Sequence, residues 1–149
     1  MSVIDLSVRM AASPDVVFDL SRSIDTHSAS MSESGERAVD GITEGHIELG
    51  EQVTWWARHF GFTFQMTSRI TEMNRPSRFV DEQVAGPFRK WRQLHSFEAV
   101  ADGTRMVDTI HYEVRFGPLG QAVDRLFLNR YLTDLIAQRN DFIKQAAES

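Results

Sequence analysis

Pro118 to Glu148 reads PLGQAVDRLFLNRYLTDLIAQRNDFIKQAAE, and it is the one long helical pattern in the chain. Gly117-Pro118 opens it, because proline is tolerated in the first turn of a helix and costs a hydrogen bond anywhere later. No proline follows Pro118, and no glycine follows Gly120. Apolar residues return at three- and four-residue steps through Leu119, Val123, Leu126, Phe127, Leu128, Tyr131, Leu132, Leu135, Ile136, Phe142, Ile143 and Ala146. That spacing belongs to a helix and not to a strand. At ~100° per residue, Leu119, Ala122, Val123 and Leu126 share one face, whereas Leu128, Leu135, Phe142 and Ala146 lie roughly opposite. The stripe changes side near Phe127 to Asn129, which predicts a kink there or contact with two different neighbours. Arg125, Arg130, Arg139 and Lys144 are read as a solvated face.

Everything ahead of this helix reads mainly as strand. Ser2 to Ala11 alternates, with Ile4, Leu6, Val8 and Met10 on the inward side. Ser13-Pro14-Asp15 is a helix start: serine caps, proline suits the first position and an acid suits the first turn. A second short helix is expected in the serine-rich stretch from Ser21 to Gly35, followed by a weak strand from Arg37 to Ile42. Glu44 to Gly50 reads as a turn-rich connection. Further strands are expected over Gln52–Phe60, Phe62–Met73, Arg78–Ala85, Lys90–Val100 and Thr104–Phe116, separated by Gly61, Asn74-Arg75-Pro76-Ser77, Gly86-Pro87 and Asp102-Gly103. Asp102-Gly103 is the strongest hairpin signal of the set. Consecutive strands joined by short turns form an antiparallel meander.

The chain has 149 residues, 42% apolar and 25% charged, which suits a single domain spanning residues 1–149 with a sizeable core. A net charge of -5 argues against nucleic acid as the main partner. There is no cysteine, hence no disulfide frame and no thiol chemistry. MSVIDLSVRM has neither the basic opening nor the apolar run of a secretory leader, and no apolar run approaches the ~20 residues of a membrane span. The expectation is a cytoplasmic protein without membrane insertion.

The order is therefore one strand, two short helices, about six more strands and a long helix. A bent antiparallel sheet wrapped on one helix buries those faces economically. Several stretches carry a family resemblance: Ala12-Ser13-Pro14-Asp15-Val16-Val17-Phe18, Gly50-Glu51-Gln52-Val53-Thr54-Trp55, Ala57-Arg58-His59-Phe60-Gly61, Arg75-Pro76-Ser77-Arg78-Phe79-Val80-Asp81-Glu82, Gly103-Thr104-Arg105-Met106-Val107-Asp108, and Gly117-Pro118-Leu119-Gly120 running into Asp124-Arg125-Leu126-Phe127. Over essentially its full length the chain resembles the START-type and birch-allergen-like superfamily (SRPBCC), which includes polyketide cyclases, dehydrases and lipid-transport proteins. The resemblance implies an α+β helix-grip fold: a curved antiparallel sheet of about six to seven strands round a C-terminal helix. It also implies a cavity for an apolar small molecule between sheet and helix. These are signatures of architecture and not of catalysis.

Period-two parity suggests what would line such a cavity. With Asp102-Gly103 as a two-residue turn, Phe97 would face Asp108, His95 would face Ile110, Gln93 would face Tyr112, and Trp91 would face Val114. One face then collects Trp55, His59, Phe64, Met66, Ser68, Ile70, Phe79, Asp81, Gln83, Trp91, Gln93, His95, Phe97, Met106, Asp108, Ile110 and Tyr112, with Leu135 from the helix. The opposite face receives Lys90, Arg92, Glu98, Glu113, Arg115 and Arg69 and is solvated. A sealed core would not accept His59, Asp81, Gln83, Gln93, His95 and Asp108 unless each were hydrogen-bonded, whereas an apolar pocket with a few convergent polar groups is the usual form of a ligand site.

The residues leave the activity open. His95 or His59 could move a proton near neutral pH, a carboxylate such as Asp108 would raise the ring's basicity, and Tyr112 could polarise a carbonyl. That combination would suit the aldol cyclisation or dehydration that the resemblance admits. A non-enzymatic carrier or sensor of a hydrophobic molecule is the first reading, a cyclase or dehydratase the second, and a protein-interaction domain the third. His46, Glu48, His59 and His111 form no metal-binding motif, the loop glycines lack the context of a phosphate cradle, and no cofactor is called for. An outward Trp56, with Phe60 and Phe62, would leave an apolar patch suited to a homodimer or another partner.

Overall fold

The computed structural model describes residues 1–149. Strand β1 (Ser2–Met10) leads into helices α1 (Pro14–Ser21) and α2 (Ile24–Ser30) and a 3-10 turn (Ser32–Ser34). Strands β2 (Arg37–Gly41), β3 (Gln52–His59), β4 (Phe62–Asn74), β5 (Arg78–Ala85), β6 (Lys90–Val100) and β7 (Gly103–Glu113) follow. The chain closes with α3 (Gly117–Val123), a π-helical turn (Asp124–Leu128) and α4 (Asn129–Glu148), which run on without a break. The strands make one seven-stranded antiparallel sheet in the order β1-β7-β6-β5-β4-β3-β2, so the meander closes by pairing its last strand with the first. This is the expected helix-grip fold.

Local chemistry accounts for the elements. The Ser13 hydroxyl accepts from the Val16 amide and the Ser23 hydroxyl from the Thr26 amide, so both short helices are capped by serine. In β1, Ile4 and Met10 are buried and the odd positions are exposed. In β6 and β7 burial alternates residue by residue, with Trp91, Gln93, His95 and Phe97 inward on one strand and Met106, Asp108, Ile110 and Tyr112 inward on the other. A bulge between Ile70 and Glu72 reverses parity near the end of β4, and Met73 joins the core.

Three details differ from the sequence expectations. The β6–β7 hairpin turns on Ala101-Asp102: Val100 faces Gly103, Phe97 faces Met106, His95 faces Asp108, Gln93 faces Ile110, and Trp91 faces Tyr112. The displacement is an even number of positions, so every side chain keeps its face. The reason lies in β1, because a Cβ on Gly103 would come within 2.0 Å of the Met10 carbonyl oxygen. That glycine serves a close backbone approach and not the turn.

The long helix also departs from a simple kink. The extra residue of the π turn resets its phase where the apolar stripe changes side. Upstream, Leu119 and Leu126 are exposed, and α3 buries no residue. Downstream, Ile136, Arg139, Asn140 and Ile143 are buried against the sheet. The third correction is Arg139. It does not belong to a solvated face, since the three- and four-residue steps from Ile136 to Ile143 carry it inward, and only 2% of it is exposed.

Two apolar clusters result. One joins Phe18, Phe79, Phe97, Met106 and Ile143 with the two short helices, and the other joins Ile4, Trp91, Ile110, Tyr112 and Ile136. Between them β6, β7 and α4 each contribute polar residues: Gln93 and His95, Asp108, and Arg139 with Asn140. No helix is long and apolar enough to cross a membrane.

Candidate functional site

A cavity of about 490 Å³ lies between the concave face of the sheet and the C-terminal helix. Its walls are mostly apolar. Trp55 and His59 come from β3, Phe64 and Met66 from β4, Phe79 and Asp81 from β5, Trp91, Gln93 and His95 from β6, and Leu135 from α4. Tyr131, Leu132, Leu135, Ile136 and Arg139 present one helical stripe to it.

The structure keeps the other expected residues off the cavity wall. Phe97 packs against Phe18, ring centroids 5.3 Å apart, and Ile110 is fully buried in the second cluster. Gln83 accepts from the Phe88 amide at 3.1 Å and donates to the Phe88 carbonyl at 2.8 Å, so it shapes the β5–β6 connection. Asp108 is fully buried behind His95. Tyr112 donates to Asp124 Oδ1 at 2.5 Å and accepts from Asn129 Nδ2 at 2.8 Å. Ser2 also donates to Asp124. Burial and the Asp124 carboxylate push the Tyr112 hydroxyl up to about 12. It therefore stays protonated, and it anchors the π turn to β7.

The polar belt is built round His95. Its Nε2 lies 2.6 Å from Asp81 Oδ2, and its ring stacks on Phe79 with centroids 4.1 Å apart. Its Nδ1 lies 2.9 Å from Asp108 Oδ1, a close charge contact without the alignment of a good hydrogen bond. Gln93 Nε2 donates to that same oxygen at 3.1 Å, and Arg139 Nη1 approaches it at 3.5 Å. Asp108 Oδ2 is buried without a hydrogen-bond partner. Burial alone would lower the His95 pKa, but the Asp108 and Asp81 carboxylates outweigh it and raise it. Burial would raise Asp108, yet His95 and the Arg139 charge hold it down to about 2. The His95 ring and the Arg139 guanidinium thus share the Asp108 carboxylate, and Asp81 holds the other side of the ring. Both His95 nitrogens face carboxylates, and of the two carboxylates Asp81 is the one that also faces the cavity with a free oxygen.

Two smaller polar contacts lie elsewhere on the wall. His27 Nε2 lies 2.7 Å from Glu36 Oε1, with its ring over Trp55 at 4.3 Å. At the mouth, His59 Nδ1 lies 2.6 Å from the Tyr131 hydroxyl, Phe60 packs on Tyr131 and Phe127, and burial lowers the His59 pKa. Phe60 sits in the left-handed region at φ 56°, in the two-residue turn before β4, and this sends its ring toward the helix. Arg139, Tyr131, His27 and Glu36 are not among the site residues expected from the sequence. Helical spacing from Leu132 and Ile136 could have found Arg139 and Tyr131. No pattern marks His27 or Glu36, which meet only when α2 folds over the sheet.

On the convex face, Trp56 is half-buried, with the Arg37 guanidinium 4.5 Å above its ring.

The chain resembles several solved structures at the level of fold. TTHA0849 from Thermus thermophilus aligns at a TM-score of 0.80 with 18% identity, covering 99% of this chain and 100% of that one. A START superfamily protein from Mycobacterium smegmatis aligns at 0.73 with 14% identity, covering 97% of each chain. Ginseng major latex-like protein 151 from Panax ginseng aligns at 0.67 with 14% identity, covering 98% and 97%. No curated protein matches the sequence significantly. The sequence profile of one family matches residues 1–148. With the sheet, the helix and the cavity between them, that match assigns the fold: the chain belongs to the polyketide cyclase/dehydrase and lipid transport family.

Proposed function

We propose that this protein binds a small hydrophobic molecule in the cavity between sheet and helix, as a carrier or sensor. The observation that carries this reading is the cavity itself. At about 490 Å³ it falls within the ~300–1,000 Å³ of ordinary small-molecule sites, and an apolar wall with a few convergent polar groups is their usual composition. Trp55 and Trp91 stand in the wall and report on occupancy. Titration with an uncharged apolar probe such as N-phenyl-1-naphthylamine is expected to quench them saturably. The variant Leu135→Trp, which places a larger ring in the cavity, is expected to weaken that binding at least tenfold while keeping the circular dichroism of the fold. Saturable binding that Leu135→Trp leaves unchanged would place the probe elsewhere.

A second reading, acid–base chemistry on a bound carbonyl compound, draws on the Asp81–His95 contact at the cavity wall. Since both ring nitrogens face carboxylates, a proton passing between His95 and a ligand would travel through Asp81. Turnover of a β-polyketone by the wild type, lost in Asp81→Asn, supports catalysis. Equal turnover by the two proteins removes Asp81 and His95 from such a role.

A further inference from the structure

The polar atoms on the cavity wall are unevenly divided between donors and acceptors. Every cationic head on the wall is engaged by the protein. Arg139 Nη2 donates to the Ser21 carbonyl at 3.1 Å and hydroxyl at 2.8 Å, and its Nη1 donates to Asn140 Oδ1 at 3.0 Å. Arg22 Nε lies 2.9 Å from Asp19 Oδ1, and its Nη1 pairs with Glu48. Arg115 donates to the carbonyls of Pro87 and Gly86, at 3.2 and 3.1 Å. His95 stands between two carboxylates. Acceptors are left over. Asp81 uses Oδ2 for His95, and its Oδ1 has no partner in the protein. Gln93 gives its amide nitrogen to Asp108, which leaves Oε1 free. Asp81 and Gln93 are opposite one another in the β5–β6 register and both line the cavity, so the two side chains are cross-strand neighbours on its wall.

From this imbalance we infer that the cavity selects an apolar molecule carrying a hydrogen-bond donor, a hydroxyl or amino group, and rejects one carrying a carboxylate. The inference rests on the cavity being a ligand site. A donor placed against Asp81 Oδ1 and Gln93 Oε1 makes a charge-assisted hydrogen bond within a largely apolar lining. A carboxylate at the same spot meets Asp81, where the neighbouring His95 and Arg139 are already committed to Asp81 and Asp108, and it loses its hydration. The neutral donors elsewhere on the wall, among them the Ser68 hydroxyl and the indole N–H groups of Trp55 and Trp91, do not balance a full negative charge.

Three ligands with one ring system test this by isothermal titration calorimetry on the intact protein: 2-naphthol, 2-methoxynaphthalene and 2-naphthoate. The expected order is naphthol tighter than methoxynaphthalene by about tenfold or more, with naphthoate weaker than both. In Asp81→Asn the gap between naphthol and naphthoate is expected to shrink several-fold, with the fold checked by circular dichroism. Naphthoate binding as tightly as naphthol to the wild type overturns the inference, and so does methoxynaphthalene matching naphthol. Both outcomes leave the cavity a ligand site. Failure of all three to bind overturns the ligand-site reading and takes the inference with it. The wild-type comparison decides even where the variant is unstable.

Discussion

Asp108 has no exposed surface, and one of its oxygens has no hydrogen-bond partner. Its charge is held by His95, Gln93 and Arg139, so removing the charge leaves the Arg139 guanidinium and the His95 ring without their shared carboxylate. Asp108→Asn is expected to destabilise the fold by about 3 kcal/mol or more, measured by urea unfolding. The pH dependence follows from the directions of the two shifts. His95 has a raised pKa, so its contribution is fully present below the ordinary histidine range and is lost as pH rises through the folded value. Asp108 is depressed to about 2, so its contribution is present above the ordinary carboxylate range and is lost as pH falls through that value. Stability is therefore expected to decline in the wild type as pH rises above the ordinary histidine range, and that decline should be absent in His95→Gln. Strand parity alone places His95, Asp81 and Asp108 on one face. It could not show that Asp108 lies behind His95, because parity gives a face and not a depth. Arg139 was legible from helix spacing, yet its charge argued for solvent, and only the partner on β7 reverses that argument. Gln83 kept its face but turned its amide to the backbone of Phe88, a turn contact that no periodicity encodes.

At the scale of elements, the π turn is the feature to test. Asp124 receives hydroxyls from Tyr112 and Ser2, and Asn129 donates to Tyr112, so the turn is pinned to β7 and β1 at once. Tyr112→Phe removes two of these hydrogen bonds and is expected to cost about 1–3 kcal/mol in thermal or urea unfolding. Because the hydroxyl points away from the cavity wall, the affinity for an apolar probe should stay within twofold of the wild type. The change of stripe at Phe127 to Asn129 was visible in the sequence. Its cause was not, since a kink and an inserted π turn shift the apolar phase alike. The β6–β7 hairpin gives the same lesson in a sheet. Asp102-Gly103 announced a turn, but Gly103 is required where the end of β1 passes close, and the register moved accordingly. Gly103→Ala is expected to destabilise by roughly 2 kcal/mol or more, because the added methyl meets the Met10 backbone and not a movable side chain.

On the scale of the whole molecule, sheet, short helices and long helix followed from alternation, caps and turn residues, and the family match agrees with them. The space they enclose did not follow. A list of inward residues is compatible with a filled core or with a cavity, and the difference is set by how far α4 stands from the sheet. The polar belt spanning β5, β6, β7 and α4 fills the level at which the two apolar clusters would otherwise meet. Occupancy should add to stability by mass action, about 2.7 kcal/mol for a ligand at one hundred times its dissociation constant. The cavity has a mechanical consequence as well. Unfolding eliminates whatever part of this space water does not fill, so the ligand-free folded chain takes up more volume than the unfolded one, and compression favours the latter. Hydrostatic pressure should therefore unfold the empty protein more readily than a comparable domain with a solid core. A bound molecule that fills the 490 Å³ should raise the midpoint pressure, followed through the emission of Trp55 and Trp91.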